Sequence, residues 1–292
     1  MKNIKKIVAI IGIICCLPIF LVGCGKSVYN YENAEEYSVG DVTLEEKVLN
    51  SININWVDGS VKIIKDENIT TIMVKESSTK ALKEEDKLRY LCKDGTLNIM
   101  YRESSTKSVN INKNKELLIM VPADDSITKK ITIKTISASV EVNGIKTEET
   151  LIKTTSGNTD VINCCISNTQ ISSTSGKIKL GGGALFDLKI TSVSGGIYAE
   201  QFINNNVNVE NISGSTILCY NGGLPTAVTI QSTSGNVTVK LPETISGFAL
   251  NSSTTVGIIS CDFKLSTNNV FGDGSRQLNI TTVSGGINIK KV

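Results

Sequence analysis

A serine–glycine pair returns along the second half of this chain at a nearly constant interval, and this repeat limits the possible folds more than any other feature. Serines in equivalent settings are separated by 19, 19, 19, 19, 21 and 50 residues. They are Ser137, Ser156, Ser175, Ser194, Ser213, Ser234 and Ser284. A unit of about 19 residues is too short to enclose a core, so neighbouring units must stack on one another as in a solenoid.

Aliphatic residues alternate on both sides of each serine, and the alternation shifts by one residue across it. Around Ser175, for example, Thr169 and Ile171 precede the serine, and Ile178 and Leu180 follow it. Period-two alternation predicts strands, and the shift predicts a tight corner between them. We therefore expect an all-β fold, a β-helix or β-solenoid with coils of about 19 residues whose strands pair in parallel from coil to coil.

Glycine follows the serine in six of the seven copies, and Ala138 replaces it in the seventh. These predicted structural turn residues are Gly157, Gly176, Gly195, Gly214, Gly235 and Gly285. A left-handed corner residue favours glycine, and the serine hydroxyl can accept a hydrogen bond from a nearby backbone N–H. Ser194-Gly195-Gly196 looks like a phosphate-binding loop, but Ile197 and Ala199 continue a strand alternation where such a loop needs a helix.

Less regular units lie within the repeat and upstream of it. One degenerate coil is predicted around Val256-Gly257, inside the 50-residue gap. Two more are predicted around Asp58-Gly59 and Asp94-Gly95, where aspartate replaces serine. The solenoid would thus cover residues 46–292, with an irregular N-terminal part over 46–125 and regular repeats over 131–292. A separate N-terminal β-module over residues 46–125 is the alternative interpretation.

The first 24 residues have the pattern of an export signal that ends in an acylation site. Residues 1–6 are basic and residues 7–20 are apolar, a run shorter than the roughly 20 residues of a membrane span. Leu21-Val22-Gly23-Cys24 resembles the bacterial lipobox, which implies a signal peptide over residues 1–23 and lipidation of Cys24. Ordinary secretion is the alternative.

The predicted location follows from that signal. Residues 24–45 are polar and are expected to form a tether. The acylated Cys24 would hold the protein on the lipid bilayer, at the extracytoplasmic face of the bacterial cell membrane.

Composition excludes several function classes. The chain has no histidine, which rules out Ser–His and Cys–His nucleophile pairs within it. Three of its lysines fall in the signal and it has no basic stripe, so we expect no nucleic-acid partner. Without histidine or a Cys-x-x-Cys pair, no metal site and no cofactor are expected. The remaining cysteines would be buried apolar residues or form a disulfide between coils; they are Cys92, Cys164, Cys165, Cys219 and Cys261.

Two outward-facing columns are candidate contact surfaces. The first, four residues after each serine, contains Glu141, Asp160, Lys179 and Tyr198. Carboxylates one coil apart would approach the roughly 5 Å separation of a retaining glycosidase, although a solvated row of paired charges is the alternative. The second is a β-branched stripe one residue before each serine: Ile136, Thr155, Thr174, Val193, Ile212, Thr233 and Val283.

The repeated motif T-x-S-G-x-I-x-V, together with residues 237–250 and 272–289, resembles a bacterial family of β-strand-repeat domains of unknown function labelled "putative adhesins". The motif stands at residues 154–161, 173–180 and 232–239. The resemblance implies a β-helical surface domain without established catalytic residues, and some relatives are linked to sensing of envelope stress.

We therefore expect a membrane-anchored, cell-surface lipoprotein whose solenoid is a non-enzymatic binding or adhesion module. Its partners would be cell-wall or host glycans or an envelope protein. An envelope-stress-sensing or regulatory lipoprotein is one alternative, and a carbohydrate-active β-helix enzyme, a lyase or glycosidase, is another.

Overall fold

The computed structural model describes residues 28–45, 49–107, 114–123, 128–200 and 205–292. The predicted signal peptide, Cys24 and the first residues of the predicted tether lie outside the described residues. Within these ranges the chain forms strands and two short 3₁₀ helices, Ala34–Glu36 and Glu84–Asp86. The all-β prediction is therefore confirmed.

The strands are numbered in chain order. The first thirteen are β1 Val28–Tyr29, β2 Ser38–Val39, β3 Val42–Thr43, β4 Ser51–Trp56, β5 Ser60–Asp66, β6 Met73–Ser78, β7 Arg89–Lys93, β8 Thr96–Met100, β9 Thr106–Lys107, β10 Lys115–Pro122, β11 Thr128–Thr135, β12 Ser139–Asn143 and β13 Lys146–Thr154. The others are β14 Thr159–Ser173, β15 Ile178–Ser194, β16 Ile197–Glu200, β17 Asn206–Ser213, β18 Thr216–Cys219, β19 Ala227–Ser234, β20 Val237–Leu241, β21 Gly247–Val256, β22 Ile259–Cys261, β23 Val270–Gly272, β24 Gln277–Ser284 and β25 Ile287–Lys291.

Two parallel ladders of strands form the walls of a solenoid. The long ladder contains the strands before the corners, in the order β8, β4, β11, β13, β14, β15, β17, β19, β24, β21. The short ladder contains the strands after the corners, in the order β10, β5, β12, β14, β15, β16, β18, β20, β25, β22. Ten levels at a strand spacing of about 4.8 Å make a rod roughly 45 Å long.

The core is the stack of inward-facing side chains between the ladders. Ile133, Ile152, Ile171 and Ile190 occupy one inward column and are fully buried. Each buried aliphatic side chain contributes about 1.5–3 kcal/mol relative to exposure, so the column stabilises the rod along its length. The predicted shift of alternation is also present, because burial resumes at Ile178 and Leu180 after the corner.

At two corners, the hydroxyl that accepts the local hydrogen bond differs from the one that the sequence suggested. The N–H groups of Gly157 and Gly176 donate to Thr154 Oγ1 and Ser173 Oγ, both at 2.9 Å. At these corners the acceptor is thus the buried residue two places before the serine. The serine itself links coils instead: Ser175 Oγ donates to the carbonyl of Thr155 on the neighbouring coil at 3.2 Å.

The corner glycines are selected by close stacking as much as by backbone conformation. Gly157, Gly176 and Gly195 do not have a positive φ, in contrast to the prediction of a left-handed corner. A Cβ at Gly176 would lie 1.9 Å from the carbonyl oxygen of Gly157 on the next coil. A side chain therefore has no room between stacked corners, whatever the φ angle. Ala138 lies beside a different corner, in which Gly59 has a φ of +89°.

The coil order at both ends departs from the order of the sequence. At the N-terminal end, the Asp58-Gly59 unit continues both ladders, but the Asp94-Gly95 coil prediction is wrong, because these residues turn the antiparallel hairpin β7–β8. At the C-terminal end, the coil that comes last in the sequence, which contains Ser284, is not the outermost coil of the rod. It stacks directly on the Ser234 coil, because Ser234 is paired with Ser284. The predicted Val256-Gly257 coil exists, and it forms the outer end of the rod.

Candidate functional site

The structure brings the four residues of the predicted contact column into one row. Glu141 is paired with Asp160, Asp160 with Lys179, and Lys179 with Tyr198 on consecutive strands of the short ladder. Lys62 continues the row beyond Glu141. The row follows from the constant coil length, since equal spacing in sequence places the same outward position on each strand.

The electrostatics of this row are those of a paired charged surface. Partial burial raises the pKa of Asp160, while Lys179 opposes this shift and Glu141 adds to it. Tyr198 donates a hydrogen bond to Glu200 at 2.6 Å, which raises the pKa of the phenol to about 12. The row carries both signs of charge, with the adjacent carboxylates Glu141 and Asp160 between Lys62 and Lys179.

The β-branched stripe offers little exposed apolar area. Ile136 is 41% exposed, whereas Val193, Ile212 and Val283 are half-buried. Neighbouring corners cover much of each side chain. Among its aliphatic members in the described residues, the stripe therefore offers one exposed isoleucine and three half-buried side chains.

A groove on the outer face of the long ladder is a candidate binding surface that our sequence reasoning missed. It has a volume of about 570 Å³ and crosses strands β13, β14, β15, β17 and β19. One row along it contains Glu149, Asn168, Asp187 and Asn206, which are paired from strand to strand. The signal was available in the sequence: these residues lie seven places before successive serines, and all four are acids or amides.

A second row of hydrogen-bonding side chains runs beside the first. It contains Gln170, Lys189 and Asn208, again on consecutive strands. In the first row, Asn206 Nδ2 donates to Asp187 Oδ1 at 2.8 Å, so that row is partly ordered by its own contacts. The groove presents amide, carboxylate and ammonium groups over five coils, a set suited to a ligand with many hydroxyl groups.

The five cysteines of the described residues differ in exposure. Cys164 and Cys219 are buried, Cys92 and Cys261 are half-buried, and Cys165 is exposed. Burial raises the pKa of Cys164 to about 11, so its thiol is a poor nucleophile at neutral pH. Cys164 and Cys219 thus fit the interpretation as small buried apolar side chains, whereas the exposed Cys165 does not.

The chain matches a known protein family over most of its length. The family model described as Toastrack DUF4097 matches residues 49–290, which is most of the chain. The chain belongs to the Toastrack DUF4097 family. The resemblance that the repeated motif indicated is thereby confirmed. No curated protein matches this Toastrack chain.

Several solved structures are similar to this Toastrack protein. One, described as a "putative adhesin" from Bacteroides fragilis, is 17% identical, with a TM-score of 0.49, and covers 87% of this chain and 98% of its own. Another, a "putative cell adhesion protein" from Clostridium sporogenes, is 18% identical, with a TM-score of 0.34 and coverages of 88% and 100%. A third, a "putative lipid binding protein" from Parabacteroides distasonis, is 14% identical, with a TM-score of 0.41 and coverages of 86% and 96%.

The family match does not reach the predicted lipidation site. Cys24 precedes residues 49–290, and it also lies outside the described residues. Over the part of the chain that the structure describes, no helix is long and apolar enough to cross a membrane. Anchoring of this Toastrack domain through Cys24 therefore stays a prediction.

Proposed function

We propose that this protein is a lipoprotein anchored through Cys24 at the extracytoplasmic face of the bacterial membrane, and that its solenoid is a non-enzymatic adhesion module. The groove on the long ladder would bind a hydroxyl-rich polymer, such as a cell-wall or host glycan. The observation that carries this proposal is the groove itself, in which acidic, amide and ammonium side chains stand in register in two rows, over four strands in the first row and three in the second.

The regular spacing of the groove fits a repeating ligand. Each coil places an equivalent polar side chain about 4.8 Å from the last, so a polymer lying along the rod would meet the same groups several times. Individual hydrogen bonds to an exposed groove are weak, but several made by one polymer add through multivalency. A rigid rod loses little entropy on binding, because its groove is already formed.

Binding of the full-length protein to a panel of envelope and host glycans tests this proposal. We expect the double variant Asp187→Ala/Gln170→Ala to weaken binding at least tenfold, because it removes two neighbouring groups from the groove. Asp160→Asn is the matched control, since Asp160 is a carboxylate on the other ladder and does not line the groove. Loss of binding in Asp160→Asn with normal binding in the groove variant would move the ligand to the Glu141 row.

The alternative in which the protein is a carbohydrate-active enzyme predicts a different result. If Glu141 and Asp160 were an acid and a nucleophile, the protein would cleave a bound glycan, and Glu141→Gln would abolish cleavage. We expect binding without product release, measured by mass spectrometry of the glycan after prolonged incubation. Cleavage that Glu141→Gln removes would contradict the non-enzymatic proposal. A protein that binds no glycan at all would favour the regulatory alternative.

Membrane attachment is tested independently of the groove. Cys24→Ala should release the protein from the membrane fraction into the medium or the soluble fraction, because the acyl chains would be absent. Immunoblots of fractionated cells measure this, with Cys165→Ala as a control that leaves Cys24 intact. Retention of the Cys24→Ala protein on membranes would refute the anchor.

A further inference from the structure

The corner at the C-terminal end of the rod differs from the other corners at two outward positions. The terminal corner, residues 256–259, contains Val256 where the seven other corners of the repeat have serine. Ile258 occupies the next outward position, where the others have Ser139, Asn158, Lys177, Gly196, Ser215, Asn236 and Gly286. In this coil alone, large apolar side chains thus replace serine at the first position and a polar residue or glycine at the second.

This reversal leaves apolar side chains in solvent. Val256 is 66% exposed, Ile258 is 78% exposed, and Ile259, at a position that is buried in the other coils, is 41% exposed. Three of the large apolar side chains that are exposed among the described residues therefore lie within four consecutive residues. Such a cluster of apolar side chains on a solvent-exposed surface indicates a contact site.

The backbone beside this corner is also available for pairing. Strand β21 is paired with β24 on one side, and its outer side is paired with β23 only at residues 247–249. Residues 251–256 therefore present an open strand edge. Natural edge strands are protected by charge or proline, yet residues 244–261 contain neither.

The rest of this chain does not reach the terminal corner. Val28 enters the fold at the opposite end of the rod, where β1 pairs with β9. The internal stretches outside the described residues are three to six residues long, and the first three of them adjoin strands at that same end. Six extended residues span only about 20 Å, less than half the length of the rod. With cleavage before Cys24, on which this step rests as part of the proposed function, only residues 24–27 precede Val28, and four extended residues span about 14 Å. The occupant therefore comes from another molecule.

We propose that the terminal corner and the open edge of β21 bind a second copy of this chain, end to end. The uncharged edge brings no like charges together when it faces itself. The rim around it contains Asp262 and Lys291, which lie next to each other, so a two-fold contact can place each sign opposite the other. Edge strands related by a two-fold axis pair in the antiparallel direction, which would extend the long ladder of each copy into the other.

The molar mass of the full-length protein in detergent, measured by light scattering over a range of concentrations, tests this proposal. We expect a concentration-dependent dimer. Ile258→Lys should weaken it at least tenfold, because the contact would then face two ammonium groups towards each other. Ile136→Lys is the matched control: it places the same charge at an exposed isoleucine in the N-terminal half of the rod and should leave the dimer unchanged.

A second measurement separates the interface from a folding defect. Amide hydrogen exchange at residues 251–256 should slow as the protein concentration rises, whereas exchange in β17 should not change. A monomer at all concentrations would overturn the proposal, as would a dimer that survives Ile258→Lys. A monomer that sediments with phosphatidylglycerol vesicles through Ile258 would assign the corner to a lipid surface and would equally overturn it. Failure of glycan binding does not affect this result, because the groove lies on other residues.

Discussion

The two ends of the rod differ in how far the outer edges of their last strands are covered. At the N-terminal end, β7 covers the outer edge of β8 and β6 covers the outer edge of β10, both in antiparallel pairing. At the C-terminal end, β23 covers only the start of β21. An open parallel edge is a template for other chains, so one end is closed by the protein itself and the other stays available. The ends of a solenoid thus need not have the same role.

A buried ion pair holds the N-terminal covering strand in place. Lys115 is fully buried, and its Nζ lies 2.6 Å from Glu76 Oε1 on β6. The same ammonium group donates to the carbonyls of Asp86 and Tyr101, and it packs over the Trp56 ring at 4.8 Å. A desolvated charge is tolerated only with such partners, so the cluster requires β6 to remain docked. The described residues at the C-terminal end contain no fully buried ion pair of this kind.

The largest expected effect follows from breaking this pair. Glu76→Gln keeps the size of the side chain but leaves the buried Lys115 ammonium without its carboxylate. We expect the free energy of unfolding to fall by about 3 kcal/mol, measured by urea denaturation. Glu84→Gln, which breaks the exposed pair between Lys87 and Glu84, should lower the free energy of unfolding far less, because solvent screens this pair. Equal losses in the two variants would show that burial does not matter here.

The corner glycines at the two ends provide a second, smaller contrast. A Cβ at Gly59 would lie 2.0 Å from the carbonyl oxygen of Lys115, and a Cβ at Gly257 would lie 2.2 Å from that of Gly285. Gly59 is held between coils on both sides, whereas Gly257 belongs to the outermost coil and can move outward.

We therefore expect Gly59→Ala to lower the free energy of unfolding by about 3 kcal/mol and Gly257→Ala by about 1 kcal/mol. Thermal and urea denaturation of both variants measure this difference. Gly222→Ala is the control, because a Cβ at Gly222 would contact nothing within 4 Å. A loss at Gly257 as large as that at Gly59 would show that the terminal coil is as rigid as the covered end.

The buried Lys115 at the N-terminal end also makes the free energy of unfolding depend on pH. Burial lowers the pKa of Lys115 to about 8 from 10.5. Between these values the unfolded chain keeps a proton that the folded protein has released, so this group raises stability as the pH increases from 8 to 10.5. We expect the free energy of unfolding to rise over this interval relative to the double variant Lys115→Met/Glu76→Gln. Parallel pH profiles for the two proteins would contradict the assignment to Lys115.

The repeat in the sequence was sufficient to predict the middle of the rod, and it was insufficient at the ends. Equal spacing of the serines predicted the coil, its inward columns and the Glu141 row, because each coil has the same neighbours as the next. The hairpin at Asp94-Gly95 was mistaken for a coil, since a tight turn between alternating strands has the same local pattern in both structures. Its antiparallel pairing is decided by contacts with other segments, which local periodicity does not contain.

The groove and the terminal corner could not be predicted from the repeat alone. The groove residues stand at a regular outward position, so the repeat in the sequence already placed them in rows. Only the shape of the long ladder shows that these rows line a groove. The order of the last two coils was not visible either. Ser234 and Ser284 are adjacent although 50 residues separate them, and this adjacency alone makes residues 249–261 an end of the rod.

The smallest expected effect concerns the inward face of that end. Ser252 occupies the inward position that is isoleucine or valine in the seven other coils of the repeat, and it is paired with Ile280 of the coil beneath it. It is only half-buried, because no coil lies beyond it. Ser252→Val should therefore raise the free energy of unfolding by only about 0.5 kcal/mol, well below the gain from full burial. Ser253→Val, on the exposed face of the same strand, should change stability less. A gain of 2 kcal/mol at Ser252 would mean that the terminal coil is already covered in solution, and would tie this position to the end-to-end contact.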